Sequence, residues 1–372
     1  MKLTKFFAFA LAALAFVGCE GMGGPADAPT SGAITLKADK TAVALGETVT
    51  FTVEQKSEDG TTHDVTSKAT IYDKDLNEVP SKTFTPEQSG SYSFFATLGA
   101  ENSNYVNVTV MASVPEVPAD PQPANTKFNH RVVLIDHTGI NCGYCPFMTD
   151  TLLALAETEA HEHYTEVTCH AGGYAAGDPA NSAAANALNS FQSSMISGYP
   201  TLILNFYSLI NGANGNAGVV KNAVMGAVKA NGADVGISMA VTGDSSTVYC
   251  AAQIKAAQAR EYKVTAWLLE SGIYSPGQSN ATKDVHKIYN YALRNIAGEY
   301  SRTNVQGESV GVIEAGKTFD AAFELPIISA KWNWENMDVL VIVSAKDGNN
   351  RWDVVNSAIC RINETKEYEY VK

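Results

Sequence analysis

Val132-Val-Leu-Ile-Asp136-His-Thr-Gly-Ile-Asn-Cys142-Gly-Tyr-Cys145-Pro146-Phe147 is the stretch on which the fold turns. Its opening run of apolar, mostly β-branched residues predicts a strand buried on both faces. The two cysteines follow, and then Pro146, placed where the first turn of a helix tolerates a missing N–H. Phe147, Leu152, Leu153 and Ala156 supply the apolar face of that helix. The cysteine pair thus falls at a strand-to-helix junction, where backbone N–H groups and the helix dipole stabilise a thiolate. Cys142 is assigned as the nucleophile. Cys145 is the thiol that closes onto it or displaces it from a mixed disulfide.

From Val132 to Cys145 the segment resembles thioredoxin, with apolar strand, acid and dicysteine pair matched without a gap. The resemblance makes Asp136 the buried carboxyl that takes and returns the proton of the second cysteine; burial raises such a pKa, so the group can act as a base near neutrality. Downstream, Gly198-Tyr199-Pro200-Thr201-Leu-Ile-Leu stands where that fold carries its cis-proline loop. The resemblance gives Tyr199 and Pro200 a substrate-docking role beside Gly143 and Tyr144. The Gly143-Tyr144 dipeptide is closer to that of periplasmic disulfide isomerases than to the Gly-Pro of reducing thioredoxins, and direction stays open between isomerase and reductase. His137 and Asn141 replace the family's aromatic neighbours, so the docking surface is expected to differ.

Towards the N-terminus, Lys2 and Lys5 precede the apolar run Phe6 to Val17, which ends at Gly18-Cys19. This pattern reads as a lipoprotein signal peptide over 1–18, with Cys19 the lipidated first residue of the mature chain. A flexible Gly/Pro/Ala/Ser tether occupies 19–32. Alternation in Ile34, Leu36, Ala38 and in Val49, Phe51, Val53 predicts strands, and seven or so of them in 33–113 suggest an immunoglobulin-like sandwich acting as a spacer. Pro115, Pro118, Pro121 and Pro123 mark 114–127 as a semi-rigid linker. An α/β thioredoxin-like domain is expected over 128–232 and a β-sandwich over 233–372, giving a multidomain chain.

Composition bounds the partners. The net charge is −13, with 26 basic against 39 acidic residues, and no basic run follows the signal, which argues against a nucleic-acid partner. Cys169 and His170 end a predicted strand and are candidate auxiliaries, a third thiol and a tuning base; the alternative for Cys169 is a small buried hydrophobe. Cys142, Cys145, Cys169 and His170 lack the second spaced pair of a zinc site, so neither metal nor cofactor is expected. Cys250 and Cys360 lie in strand-like segments; a structural disulfide between them would stabilise by roughly 4–5 kcal/mol in the chain-entropy model, the alternative being two free buried thiols.

The motifs at 133–139 and 142–146, with His286-Lys-Ile-Tyr-Asn-Tyr-Ala-Leu-Arg294 and Asp353-Val-Val-Asn356, make the chain resemble the outer membrane protein 28 family of Bacteroidota lipoproteins. The resemblance runs from about Phe128 onward and implies a lipid-anchored outer-membrane location, facing periplasm or cell surface. Within that family some members are described as adhesins. Two functions follow as expectations. The first is a membrane-anchored thiol–disulfide oxidoreductase or isomerase acting on exported protein thiols and disulfides with a redox partner. The second is a surface-binding lipoprotein whose Cys142–Cys145 disulfide is structural.

Overall fold

The computed structural model describes residues 32–371, so the expected signal peptide, Cys19 and nearly all of the tether lie outside the described residues. Alternating burial builds the first module. Its strands are β1 (Ile34–Ala38), β2 (Ala42–Ala44), β3 (Val49–Lys56), β4 (Thr62–Asp64), β5 (Thr70–Asp73), β6 (Thr83–Phe84), β7 (Gly90–Leu98), β8 (Glu101–Asn102) and β9 (Val106–Met111). In β3, Val49, Phe51 and Val53 point inward while Thr50 and Thr52 face water. Two sheets, one built on β1-β3-β4 and the other on β2-β9-β7-β5, close over a core of their own that includes Leu36, Phe51, Ile71, Phe94 and Val108.

The proline-rich segment that follows is docked rather than free. The ammonium of Lys255, buried in the C-terminal sandwich, donates to the Asp120 carboxylate (2.8 Å) and the Pro123 carbonyl (2.6 Å), and the Tyr370 hydroxyl donates to Asp120 (2.6 Å). The rings of Phe128, Tyr368 and Tyr370 stand 5.9–6.0 Å from the same ammonium. A buried lysine needs such partners, because an unpaired charge in the interior is strongly disfavoured.

Beyond the linker the chain runs β10 (Val132–Thr138), α1 (Cys145–Ala156), β11 (Tyr164–His170), α2 (Ala183–Phe191), β12 (Thr201–Leu204), β13 (Ser208–Leu209) and α3 (Ala217–Ala227). It continues through β14 (Val235–Gly243), β15 (Thr247–Ala256), β16 (Arg260–Glu270), β17 (Ile273–Tyr274), β18 (Ile288–Tyr289) and β19 (Ala292–Ile296). The last strands are β20 (Glu308–Ile313), β21 (Thr318–Pro326), β22 (Met337–Lys346), β23 (Trp352–Arg361) and β24 (Thr365–Lys366).

The expected break at residue 232 does not interrupt the architecture. One sheet runs β13-β12-β10-β11-β19-β16-β22-β23, with β20 also on β16. Its seam is the parallel pairing of Thr168 in β11 with Ala292 in β19. On one face Val132 and Leu134 pack against Met148, Leu152 and Leu155 of α1 and Val220 and Val224 of α3. On the other face Val133 and Ile135 share a core with Leu188 of α2 and with Trp267, Leu269, Leu340 and Ile342 of the later strands. A second sheet, β21-β15-β14-β24, packs on β16, β22 and β23 to make the C-terminal sandwich.

The expected Cys250–Cys360 bond is a correction: both cysteines are free thiols, buried in one core. Cys250 belongs to β15 and Cys360 to β23, which lie in the two different sheets of the sandwich. Two facing sheets are bridged only where the Cβ atoms meet about 3.8 Å apart, and here each sulfur turns to its own strand, Cys250 Sγ to the Ala251 carbonyl (3.8 Å) and Cys360 Sγ to the Arg361 carbonyl (3.5 Å).

Candidate redox site

Cys142 and Cys145 are joined in a disulfide. The approach loop is folded by short turns: Cys142 N–H donates to the Gly139 carbonyl (3.0 Å), and Asn141 N–H to the Tyr174 carbonyl (2.9 Å). Cys145 is the first helical residue, and Pro146 sits in the first turn as its sequence position requires. Both cysteines are nearly inaccessible, 2% and 3% exposed. Against the dicysteine turn lies the loop 275–287, which joins β17 to β18 and belongs to the C-terminal part of the chain. Gln278 Nε2 donates to the Cys142 carbonyl (3.0 Å), Asn280 Nδ2 to the Gly143 carbonyl (2.9 Å), and Ser279 N–H to the Ile140 carbonyl (2.8 Å).

A cavity of about 280 Å³ lies against Cys145, with Asp136, Glu166, His170, Gln278 and Tyr289 among its other walls. Asp136 is 4% exposed, and its Oδ1 has no hydrogen-bond partner among the described residues. Burial, and then the neighbouring Glu166 carboxyl, push its pKa well above the usual carboxylate range. Glu166, half-buried at the same cavity, is pushed up to about 7 by desolvation. Asp136 pairs in register with Thr168, and Leu134 with Glu166, so the two acids are diagonal neighbours on the face that carries α1.

The two auxiliary candidates separate. Cys169 alternates to the opposite face of β11, where its Sγ donates to the Ala185 carbonyl (3.1 Å) in the α2 core. Burial raises its pKa, so it is a small buried hydrophobe away from the disulfide. His170 remains on the cavity face. Its Nδ1 makes a 2.8 Å bond to Asp178 Oδ2, and the same oxygen accepts Ile140 N–H at 2.8 Å. His170 thus buttresses the loop that leads to Cys142. Burial pushes the Asp178 carboxyl up, but His170, together with the Ala180 and Ile140 N–H groups that the carboxyl accepts from, leaves the pKa lowered. His137, one residue after Asp136, points the other way, bonds Gln192 (2.7 Å), and is pushed down to about 4 by burial.

The Tyr199–Pro200 peptide bond is cis. It precedes β12, whose Thr201 pairs with His137, and β12 runs antiparallel to β10. The loop therefore lies at the same sheet end as the dicysteine turn. The Tyr199 hydroxyl has one proton to share between Asn189 Oδ1 (2.7 Å) and the Ala171 carbonyl (3.0 Å), and its ring packs on Tyr174 (5.1 Å). Tyr144, between the cysteines, is 68% exposed. Arg294 forms a buried ion pair with Glu270 (2.6 Å) and donates to the Pro179 carbonyl (2.9 Å), which makes it a clamp between segments. His286 lies on the outer side of α1, its Nε2 3.0 Å from Asp150 Oδ1.

Sequence reasoning missed Glu166, Asp150, Asp178 and the loop 275–287. Glu166 reads as an ordinary outward polar residue of an alternating strand. The loop's Ser-Pro-Gly-Gln-Ser-Asn composition announces a turn but says nothing of what it covers.

The family model for outer membrane protein Omp28 matches residues 192–366, a little under half of the chain. Among the described residues no helix is long and apolar enough to cross a membrane. HBP35 of Porphyromonas gingivalis is similar in fold: TM-score 0.51 at 17% identity, over 65% of this chain and 78% of that one. Adhesin InvE of Yersinia pseudotuberculosis aligns over 89% of this chain and 59% of its own at 7% identity, with a TM-score of only 0.16. No curated protein matches the chain.

Proposed function

We propose that this chain is an outer-membrane lipoprotein, anchored through Cys19, whose thioredoxin-like segment carries a working dithiol at Cys142 and Cys145. The immunoglobulin-like module over 33–113 is its spacer, and exported proteins and a redox partner are its clients. One observation carries the reading: Asp136, buried with no partner for its Oδ1 among the described residues, opens onto the same cavity as Cys145. An unpaired buried carboxyl is costly, and a proton-transfer duty at an adjacent thiol gives it a reason to be there.

In the reducing direction the Cys142 thiolate attacks a substrate disulfide, forming a mixed disulfide and releasing one substrate thiolate. Asp136 then takes the Cys145 proton, and Cys145 sulfur attacks Cys142 sulfur. The second substrate thiolate leaves, the substrate is reduced by two electrons, and the Cys142–Cys145 bond is restored; a partner dithiol must reduce it again. The Tyr199-Pro200 loop, with Gly143 and Tyr144, docks the substrate.

The test is the reduction potential of the pair, measured by equilibration with glutathione buffers, together with thiol exchange by Cys142→Ala. A potential between roughly −120 and −270 mV and loss of exchange in the variant are expected. A value below about −300 mV would sink the enzyme reading. It would favour instead a binding lipoprotein with a structural disulfide, for which the burial of both cysteines speaks.

A further inference from the structure

We propose that residues 275–287 form a latched cover that decides when the disulfide can be attacked, with Asp150 of α1 as its catch. This inference rests on the reading of Cys142 and Cys145 as a working pair. The loop is closed at its base by the β17–β18 ladder, Ile273 with Tyr289 and Tyr274 with Ile288, and by Ser275 N–H donating to the Lys287 carbonyl (2.7 Å). Its near end occupies the backbone carbonyls of Ile140, Cys142 and Gly143. Its far end is fastened to α1: Lys283 Nζ reaches both Asp150 oxygens at 2.8 Å, and His286 Nε2 reaches Oδ1 at 3.0 Å.

Three features make this a cover that opens rather than a piece of core. Pro276, Ala281 and Val285 are the loop's only apolar side chains larger than glycine, so little hydrophobic burial holds it down. The Lys283 half of its fastening is an ion pair whose members are partly exposed, 34% for Asp150 and 58% for Lys283, a kind of contact that contributes modestly and is weakened by salt, while His286, on the same carboxylate, is buried. The stem and the β16–β17 junction at Gly272, with a φ of +75°, provide a fixed base about which the loop can swing. Thiol–disulfide exchange requires access of the attacking thiolate to sulfur. With both cysteines 2–3% exposed, the closed loop denies that access to any substrate, and its release sets the rate.

The experiment is reduction of Cys142–Cys145 by dithiothreitol in the full chain, followed by alkylation of the freed thiols. Asp150→Ala is expected to accelerate reduction about tenfold and Lys283→Ala by a few-fold, while Asp150→Glu stays close to the parent. Raising salt from about 0.05 to 1 M should speed the parent and leave Asp150→Ala unmoved. If Asp150→Ala does not fold, Lys283→Ala and the salt series decide. Unchanged rates in the variants, or no salt response in the parent, overturn the cover. The equilibrium potential is measured on the same samples to separate the two readings. A catch-dependent rate with a potential in the structural range keeps the cover and removes the enzyme, and a catch-independent rate with a working potential does the reverse.

Discussion

Asp136 and Glu166 put two carboxyls on one cavity with no cation hydrogen-bonded to either among the described residues. For Glu166 the folded pKa of about 7 lies above the usual 4.5, so between those values the native state holds more protons than the unfolded chain. The stability it contributes is full below about pH 4.5 and is lost as pH rises through 7. Glu166→Gln removes that slope. In urea denaturation the variant is expected to match the parent near pH 4.5 and to exceed it by about 1–3 kcal/mol at pH 8. The comparison is a difference, so the opposite slope from the buried neutral His137 cancels. A gap equal at both pH values would exclude the idea. Asp136→Asn is expected in the same assay to stabilise at pH 8 while slowing thiol exchange. Asp136 is legible in the sequence because it is an acid in an apolar strand six residues before Cys142. Glu166 is not, because the residues that complete its cavity, Gln278, Val285 and Tyr289 among them, arrive more than a hundred residues later.

The junction between β10 and α1 is held by a close approach that only glycine permits. A Cβ on Gly139 would stand 2.6 Å from the Tyr174 carbonyl oxygen and 3.0 Å from Ala175 N, both backbone atoms that cannot rotate away. Gly139→Ala must therefore move the segment 173–175, to which Asn141 N–H is also bonded. The expected cost is about 1–3 kcal/mol, read as a lower thermal midpoint, with faster alkylation of the reduced cysteines as the turn loosens. A midpoint unchanged from the parent would show that the contact is not needed. At this scale the strand–turn–helix unit was legible because local chemistry writes it, and the cis-proline loop was legible through the resemblance to thioredoxin. Cys250 and Cys360 were legible as buried strand positions but not as unpaired ones, since the sheet that each strand joins is decided by long-range pairing. The same limit hid the docking of the linker on Lys255.

Across the whole molecule, the sheet that carries the dicysteine pair is not complete at residue 232. The α2-side core of β10 and β11 is finished by Trp267, Leu269, Leu293, Leu340 and Ile342, all contributed by strands from the C-terminal part. Trp267 is fully buried there and donates its indole N–H to the Val305 carbonyl (3.1 Å). The domain boundary expected at 232/233 rested on a change of pattern from helices to strands, and that change is real, but the strands extend the existing sheet instead of starting a separate one. A fragment of residues 128–232 would leave β11 as an open edge and expose an apolar face, conditions that favour association over folding. We expect it to lack a cooperative thermal transition and to bind a hydrophobic dye. Residues 128–371 should unfold cooperatively and keep the disulfide protected from alkylation-coupled reduction. Residues 33–113, with their own core, should fold alone. A cooperative transition in the 128–232 fragment, with native-like slow reduction, would refute the shared-sheet account and also the dependence of Cys142 on a cover built more than a hundred residues downstream.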